Sequence, residues 1–277
     1  MPNKCLMSHM PFLGSAGFDL YVKDEDKILY KGSFVPPIER TDSYESIIEF
    51  DGREMRDIII HFPLYDDVDA LFIGVEPEAT VEQGDTYHTE QPIVYYGSSI
   101  TQGGCASRPG NCYTNIISRN LNIDHVNLGF SGNCKAEPVM AEYIAGQSMS
   151  LFVYDYDHNA PDVEYLSKTH EAFFLTVREK HPELPIIMAS ETDTPKSPSK
   201  MEDISRRREV ILNTYTNAIK RGDNRVMFID GTEVFNEANQ LGALPDSCTV
   251  DGIHPNDLGF ICMAKVFGDT IRRAIKK

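Results

Sequence analysis

The chain has 277 residues, 41% of them hydrophobic and 25% charged, the composition of a soluble globular protein long enough for one large domain or a domain with a small appendage. The 42 acidic and 26 basic residues give a formal net charge of −16, which argues against an electrostatic grip on nucleic acid or an anionic membrane. No run approaches the roughly 18 to 20 apolar residues of a bilayer span.

The N-terminal stretch MPNKCLMSHMPFLGSAG is broken by Pro2, Ser8, His9 and Pro11 where a signal peptide needs an unbroken apolar run. As written the chain is expected to be cytoplasmic, and secreted if a leader has been removed. Five apolar runs follow: FDLYV (18–22), KILYKGSF (27–34), SIIEF (46–50), RDIIIHFPLY (56–65) and DALFIGV (69–75). They are rich in Ile, Val, Phe and Tyr and interrupted every eight to twelve residues by Gly, Pro and Asp, the pattern of an antiparallel sheet or sandwich. Residues 1–88 are therefore expected to form a small β-rich, sandwich-like domain, with 76–91 as the connector.

From Pro92 strands and helices alternate. PIVYYG (92–97) reads as a strand buried on both faces. Then come a helix over 111–121, strand DHVNLG (124–129), a helix over 136–146 and strand LFVYDY (151–156). VEYLSKTHEAFFLTVREKH (163–181) carries apolar residues at helical spacing. LPIIMAS (184–190), a polar helix over 199–221, NRVMFID (224–230) and a closing helix over 256–275 complete the series. Strict alternation implies a three-layer α/β/α fold with a parallel sheet over 92–277.

In such sheets ligands bind off the carboxyl ends of the strands. Chemically able residues cluster there: Ser98-Ser99, Ser131-Gly132-Asn133, Asp157-His158-Asn159 and Glu191-Thr192-Asp193, with Asp251 and His254 before the last helix. A serine hydroxyl needs a base before it is a nucleophile, and by itself the Ser pair describes a capped turn better than a nucleophile. Asp251, three residues before His254, can take the imidazole Nδ1–H and leave Nε2 facing a nucleophile; the other reading is an Asp-Gly turn before a helix capped by Asn256 or Asp257. An oxyanion needs preorganised donors. The backbone N–H of Gly132 and the side-chain amide of Asn159 can supply them, although each alone also suits a turn.

Together these segments resemble the SGNH (GDSL-type) hydrolase superfamily, whose members carry a Gly-Asp-Ser-Leu-like first motif, a Gly, an Asn and a final Asp-x-x-His in this order. The resemblance spans about residues 92–277 and implies a flavodoxin-like SGNH fold. It implies Ser99 as nucleophile and oxyanion donor, Gly132 and Asn159 as further donors, His254 as base and Asp251 as its orienting carboxylate. Ser98 replaces the family's Asp, and Asp-His-Asn-Ala at 157–160 replaces Gly-x-Asn-Asp. GSAGFDLYV (14–22) and HFPLYDDVDALFIGV (61–75) look like the small β domain that precedes the catalytic domain in one bacterial branch.

The expected activity is hydrolysis of short-chain, acetyl-type esters on carbohydrate. The alternatives are a lysophospholipase or thioesterase, a catalytically silent glycan-binding protein, and a flavodoxin-like nucleotide binder, which the absence of a P-loop or GxGxxG disfavours. Substrate contacts are assigned to Arg108, which could instead fix its own loop, and to His158, whose other reading as an alternative base the Asp-x-x-His placement of His254 disfavours. No cofactor, metal, nucleic acid or membrane partner is expected, and a homo-oligomer is left open. The six cysteines (5, 105, 112, 134, 248, 262) show no CxxC spacing and are expected to be free, a Cys105–Cys112 bridge being the alternative in an oxidising compartment.

Overall fold

The computed structural model of the chain describes residues 7–25, 27–39, 42–192, 194 and 197–276, so Cys5 and Asp193 lie outside the described residues. Two sheets organise it. The first joins β1 (Phe18–Asp24), β2 (Lys27–Phe34) and β3 (Asp57–His61) in the order β2-β1-β3, all antiparallel. A short helix, α1 (Phe12–Ala16), leads into it. The N-terminal part is β-rich as expected, with this one sheet among the described residues. SIIEF and DALFIGV form no strand: Ile47 is 85% and Phe72 91% exposed.

The second sheet is parallel, in the order β5-β4-β6-β7-β8. Its strands are β4 (Ile93–Gly97), β5 (His125–Gly129), β6 (Leu151–Asp155), β7 (Ile186–Ala189) and β8 (Val226–Ile229). The helices between them are α2 (Ser99–Gln102), α3 (Tyr113–Leu121), α4 (Pro138–Ala145), α5 (Val163–Lys180) and α6 (Pro198–Lys220). The short α7 (Gly231–Val234) and the long α8 (Asp257–Ile275) close the chain.

Why the inner strands β4, β6 and β7 are almost wholly apolar follows from the layers. Ile93, Tyr95, Leu151, Val153 and Ile187 pack with Tyr113, Ile117, Phe260 and Phe267 of α3 and α8. Their neighbours Val94, Tyr96, Phe152, Tyr154 and Met188 pack with Phe173, Phe174 and Ile211 of α5 and α6. Successive side chains point to opposite faces, so both registers must be apolar. The chain runs from β4 outward to the edge strand β5, then returns past β4 to β6. That reversal puts a topological switch point between β4 and β6, and the loops after those two strands carry Ser99 and Asn159.

The sheets are joined by polar contacts centred on β1. The buried Asp19 carboxylate accepts from Arg108 Nη1 at 2.9 Å and from the Gly110 N–H at 2.7 Å through one oxygen, and from Ser33 Oγ at 2.6 Å through the other. Arg108 also donates to Tyr21 Oη and lies over the Tyr30 ring, 3.9 Å from its centroid. Arg119 of α3 stacks on Tyr21 and donates to His61 Nε2 at 2.7 Å; burial and the neighbouring Arg119 keep His61 neutral, its pKa pushed down to about 2.

Candidate active site

The site begins at the end of β4. A Cβ on Gly97 would lie 2.0 Å from Thr101 Oγ1 and 2.5 Å from the Asp155 carbonyl, so only glycine lets α2 sit so close over the strand end. Ser98, fully buried, caps α2 by accepting the Ile100 N–H at 3.2 Å. The serine that stands in place of the family's Asp thus caps the helix through its hydroxyl. Ser99 is the first residue of the helix, 7% exposed.

Residues 249–255 form a tight loop closed by a bridge between Thr249 and Pro255 and by the Val250 N–H on the His254 carbonyl at 2.9 Å. Inside it Asp251 Oδ1 accepts the backbone N–H groups of Ile253 at 3.0 Å and His254 at 2.8 Å. Its other oxygen accepts His254 Nδ1–H at 2.8 Å. Partial burial pushes the Asp251 carboxyl up, but the hydrogen bonds from the His254 ring and these backbone N–H groups outweigh it and hold the acid below its ordinary value. The opposite nitrogen, His254 Nε2, lies 2.9 Å from Ser99 Oγ across 155 residues of sequence. Asn256, as one reading of this segment required, caps α8 through the Gly259 N–H at 3.1 Å.

Gly132 occupies a turn closed by the Asn133 N–H on the Phe130 carbonyl at 2.9 Å. Its φ of +70° demands glycine, whereas the space a Cβ would fill is open; backbone conformation, not crowding, accounts for this residue. Asn159 ends a 3-10 turn over Asp157–Asn159. Its Oδ1 accepts the Cys134 N–H at 3.1 Å, which leaves the amide N–H groups as its remaining donors and ties this turn to the Gly132 loop. Arg207 straps the same turn to α6, giving Nη1 to the carbonyls of Asp157 at 2.7 Å and Ala160 at 3.0 Å.

Beneath Asn159 lies a set of buried acids: Asp155, Asp157 and Glu191. Asp157 accepts the Glu191 N–H at 2.9 Å. Burial pushes its carboxyl well above the ordinary value; His158 opposes the shift, while Glu191 and Asp155 add to it. His158, its side chain 8% exposed, sets Nδ1 3.7 Å from Asp157 Oδ1 and so faces this acid set. Arg108 is likewise committed, to Asp19 and the Tyr21 and Tyr30 rings. Of its two expected roles, these bonds serve loop fixing. Cys105, Cys112, Cys134, Cys248 and Cys262 are free and buried, and burial, with the Asp251 charge adding, pushes the Cys105 thiol up to about 12.

Two matches identify the family. Residues 90–272 match the model of the GDSL-like lipase/acylhydrolase family, and residues 1–81 match the N-terminus of SGNH hydrolase-type esterases. The chain belongs to the GDSL-like lipase/acylhydrolase family. It is by family an esterase or acylhydrolase. A solved protein from Bacteroides ovatus ATCC 8483 described as a GDSL-like lipase is 30% identical at a TM-score of 0.87, over 99% of this chain and 79% of the other. The salicylyl-acyltransferase SsfX3 from a tetracycline biosynthetic pathway shares the fold at TM-score 0.62 and 18% identity, over 100% of this chain and 76% of its own. A family two carbohydrate esterase from Clostridium thermocellum in complex with cellohexaose does so at 0.58 and 14%, over 96% and 88%. No curated protein matches the chain.

In this GDSL-like protein three residues near Ser99 escaped the sequence reading. His9 sets its ring 5.2 Å from that of His254, tilted by 48°. Tyr65 donates its hydroxyl to the Ser99 carbonyl at 3.4 Å. Gln102 accepts the Ser131 N–H at 3.0 Å and donates to the Leu64 carbonyl at 3.1 Å, holding the Gly132 turn and the N-terminal part together. His9 and Tyr65 are remote in sequence and carry no spacing signal. Gln102, three residues after Ser99 on one short helix, could have been found from its helical position. No helix among the described residues is long and apolar enough to cross a membrane.

Proposed function

We propose that this acylhydrolase is a serine esterase in which Ser99 is the nucleophile, His254 the general base and Asp251 the carboxylate that orients it. The observation that carries the reading is the continuous line of hydrogen bonds, Ser99 Oγ to His254 Nε2 at 2.9 Å and His254 Nδ1 to Asp251 at 2.8 Å. Ser99 Oγ attacks the ester carbonyl as Nε2 takes its proton. The oxyanion rests on the N–H groups of Ser99, Gly132 and Asn159. Imidazolium then gives its proton to the departing alcohol, leaving an acyl-serine. Water, deprotonated by the same nitrogen, releases the acid and restores Ser99. No step requires a cofactor.

The substrate we propose is a short acyl group, acetyl first, on a carbohydrate. Ser99 is 7% exposed, which favours a small acyl chain. The fold likeness to a carbohydrate esterase holding cellohexaose is consistent with a polar, hydroxyl-rich alcohol. A ladder of aryl esters from acetyl to dodecanoyl tests both parts. Hydrolysis should be fastest at the short end, and Ser99→Ala should abolish it while leaving the fold intact. A dodecanoyl optimum would overturn the acyl assignment, and an active Ser99→Ala protein would overturn the nucleophile.

A further inference from the structure

His9 has no place in the acyl-transfer reading, yet the structure sets it against the base. A turn closed by the Met10 N–H on the Met7 carbonyl at 3.0 Å carries it, and Met10 reaches within 3.0 Å of where a Cβ on Gly104 would sit, beside the Ser99 carbonyl. One ligand atom each from His9, Asp251 and His254 all lie within 4.8 Å of one another. No His or Cys pair in the sequence has metal-site spacing; folding assembles the three from positions 9, 251 and 254.

Two imidazoles and a carboxylate, with no thiolate, are the donor set that zinc and similar borderline divalent ions take in sites that keep a fourth, open position. Tetrahedral zinc with bonds of about 2.0–2.1 Å holds its ligand atoms roughly 3.4 Å apart. The three side chains therefore need only draw together modestly. Asp251 and His254 remain partly accessible, at 39% and 19% of their side-chain surface, so an ion has a path in.

We propose that a divalent transition-metal ion of zinc's ligand preference binds His9, Asp251 and His254 and silences the esterase. The inference rests on the reading of Ser99, His254 and Asp251 just given. Either nitrogen of His254 that takes the ion loses its present partner, Ser99 Oγ on one side or Asp251 on the other. Both bonds belong to the proton relay, so occupancy and hydrolysis exclude each other.

The test uses the full chain, zinc as the probe, and two readouts. Equilibrium dialysis of Ser99→Ala, which retains all three ligands, should show one zinc ion bound per chain, and His9→Ala or His9→Gln should weaken that binding about tenfold or more. With the parent protein, zinc should inhibit ester hydrolysis reversibly on adding chelator. Each His9 variant, scaled to its own metal-free rate, should need about tenfold more zinc for the same inhibition. Equal zinc affinity with and without His9, or no saturable uptake by Ser99→Ala, overturns the ion site. A chain that binds zinc through His9 but hydrolyses no ester upholds the ion site and counts against the nucleophile instead.

Discussion

The two sheets are made of similar β-branched and aromatic residues but stand in opposite surroundings. Strands β4, β6 and β7 are buried along their whole length between two helical layers. In β2 Leu29 and Tyr30 are nearly half exposed, and much of the N-terminal part around it is irregular. The parallel sheet is held by apolar packing on both faces. The antiparallel one is held to it by a few buried polar groups, Asp19 above all. The same division runs through the site: the proposed relay and oxyanion donors stand on the parallel sheet, while the N-terminal part adds His9 and Tyr65 at the edge. A sheet with few apolar neighbours can still be fixed in place when one buried carboxylate gathers its donors from the other sheet's loops.

The largest effect that bears on this contrast concerns the clamp. Asp19→Ala removes the acceptor shared by Arg108, the Gly110 N–H and Ser33, and should lower stability by about 3–5 kcal/mol, the cost of breaking a buried pair by removing one partner. Urea unfolding reads this as a lower midpoint; a loss under about 1 kcal/mol, the range of surface pairs, would break the account of how the two sheets are joined. Next comes the parallel sheet's own chemistry. Asn159→Ala removes one proposed oxyanion donor and should slow kcat about 10²–10³-fold, or roughly 2.7–4 kcal/mol, with little change in KM. A rise in KM at unchanged kcat would assign Asn159 to substrate binding instead. The smallest effect belongs to the irregular N-terminal segment. Phe72→Ser, at a side chain 91% exposed, should shift the unfolding midpoint by no more than about 0.5 kcal/mol. A larger loss would mean that DALFIGV is packed in solution.

The contrast also explains what the sequence let one read. Each strand expected from Pro92 onward lies within two residues of its expected bounds; for β4, β6 and β7 the reason is that a strand between two helical layers must be apolar in both registers, and such runs leave few alternatives. In the N-terminal part a β-prone run needs a partner strand, and composition does not say whether one exists; SIIEF and DALFIGV have none among the described residues. The Asp251–His254 contact was legible because it lies within one loop, and Ser99 because strand ends gather ligands. His9, the Asp19–Arg108 clamp and the strapping of the Asn159 turn by Arg207 were not. Each joins residues 47 or more positions apart that follow no helical or strand period. The motif at Gly17-Phe18-Asp19-Leu20-Tyr21 was noticed as a likeness, but that its carboxylate gathers Arg108, Ser33 and Gly110 could be seen only in three dimensions.

The central claim is that Ser99 is a hydroxyl activated by His254. Labelling with a serine-directed fluorophosphonate, followed by peptide mass mapping, addresses it without any assumption about the natural ester. The parent protein should take up one phosphonyl group, located on Ser99, and His254→Ala should label far more slowly because the hydroxyl keeps its proton. Absence of label on Ser99, or equal labelling without His254, would contradict the account.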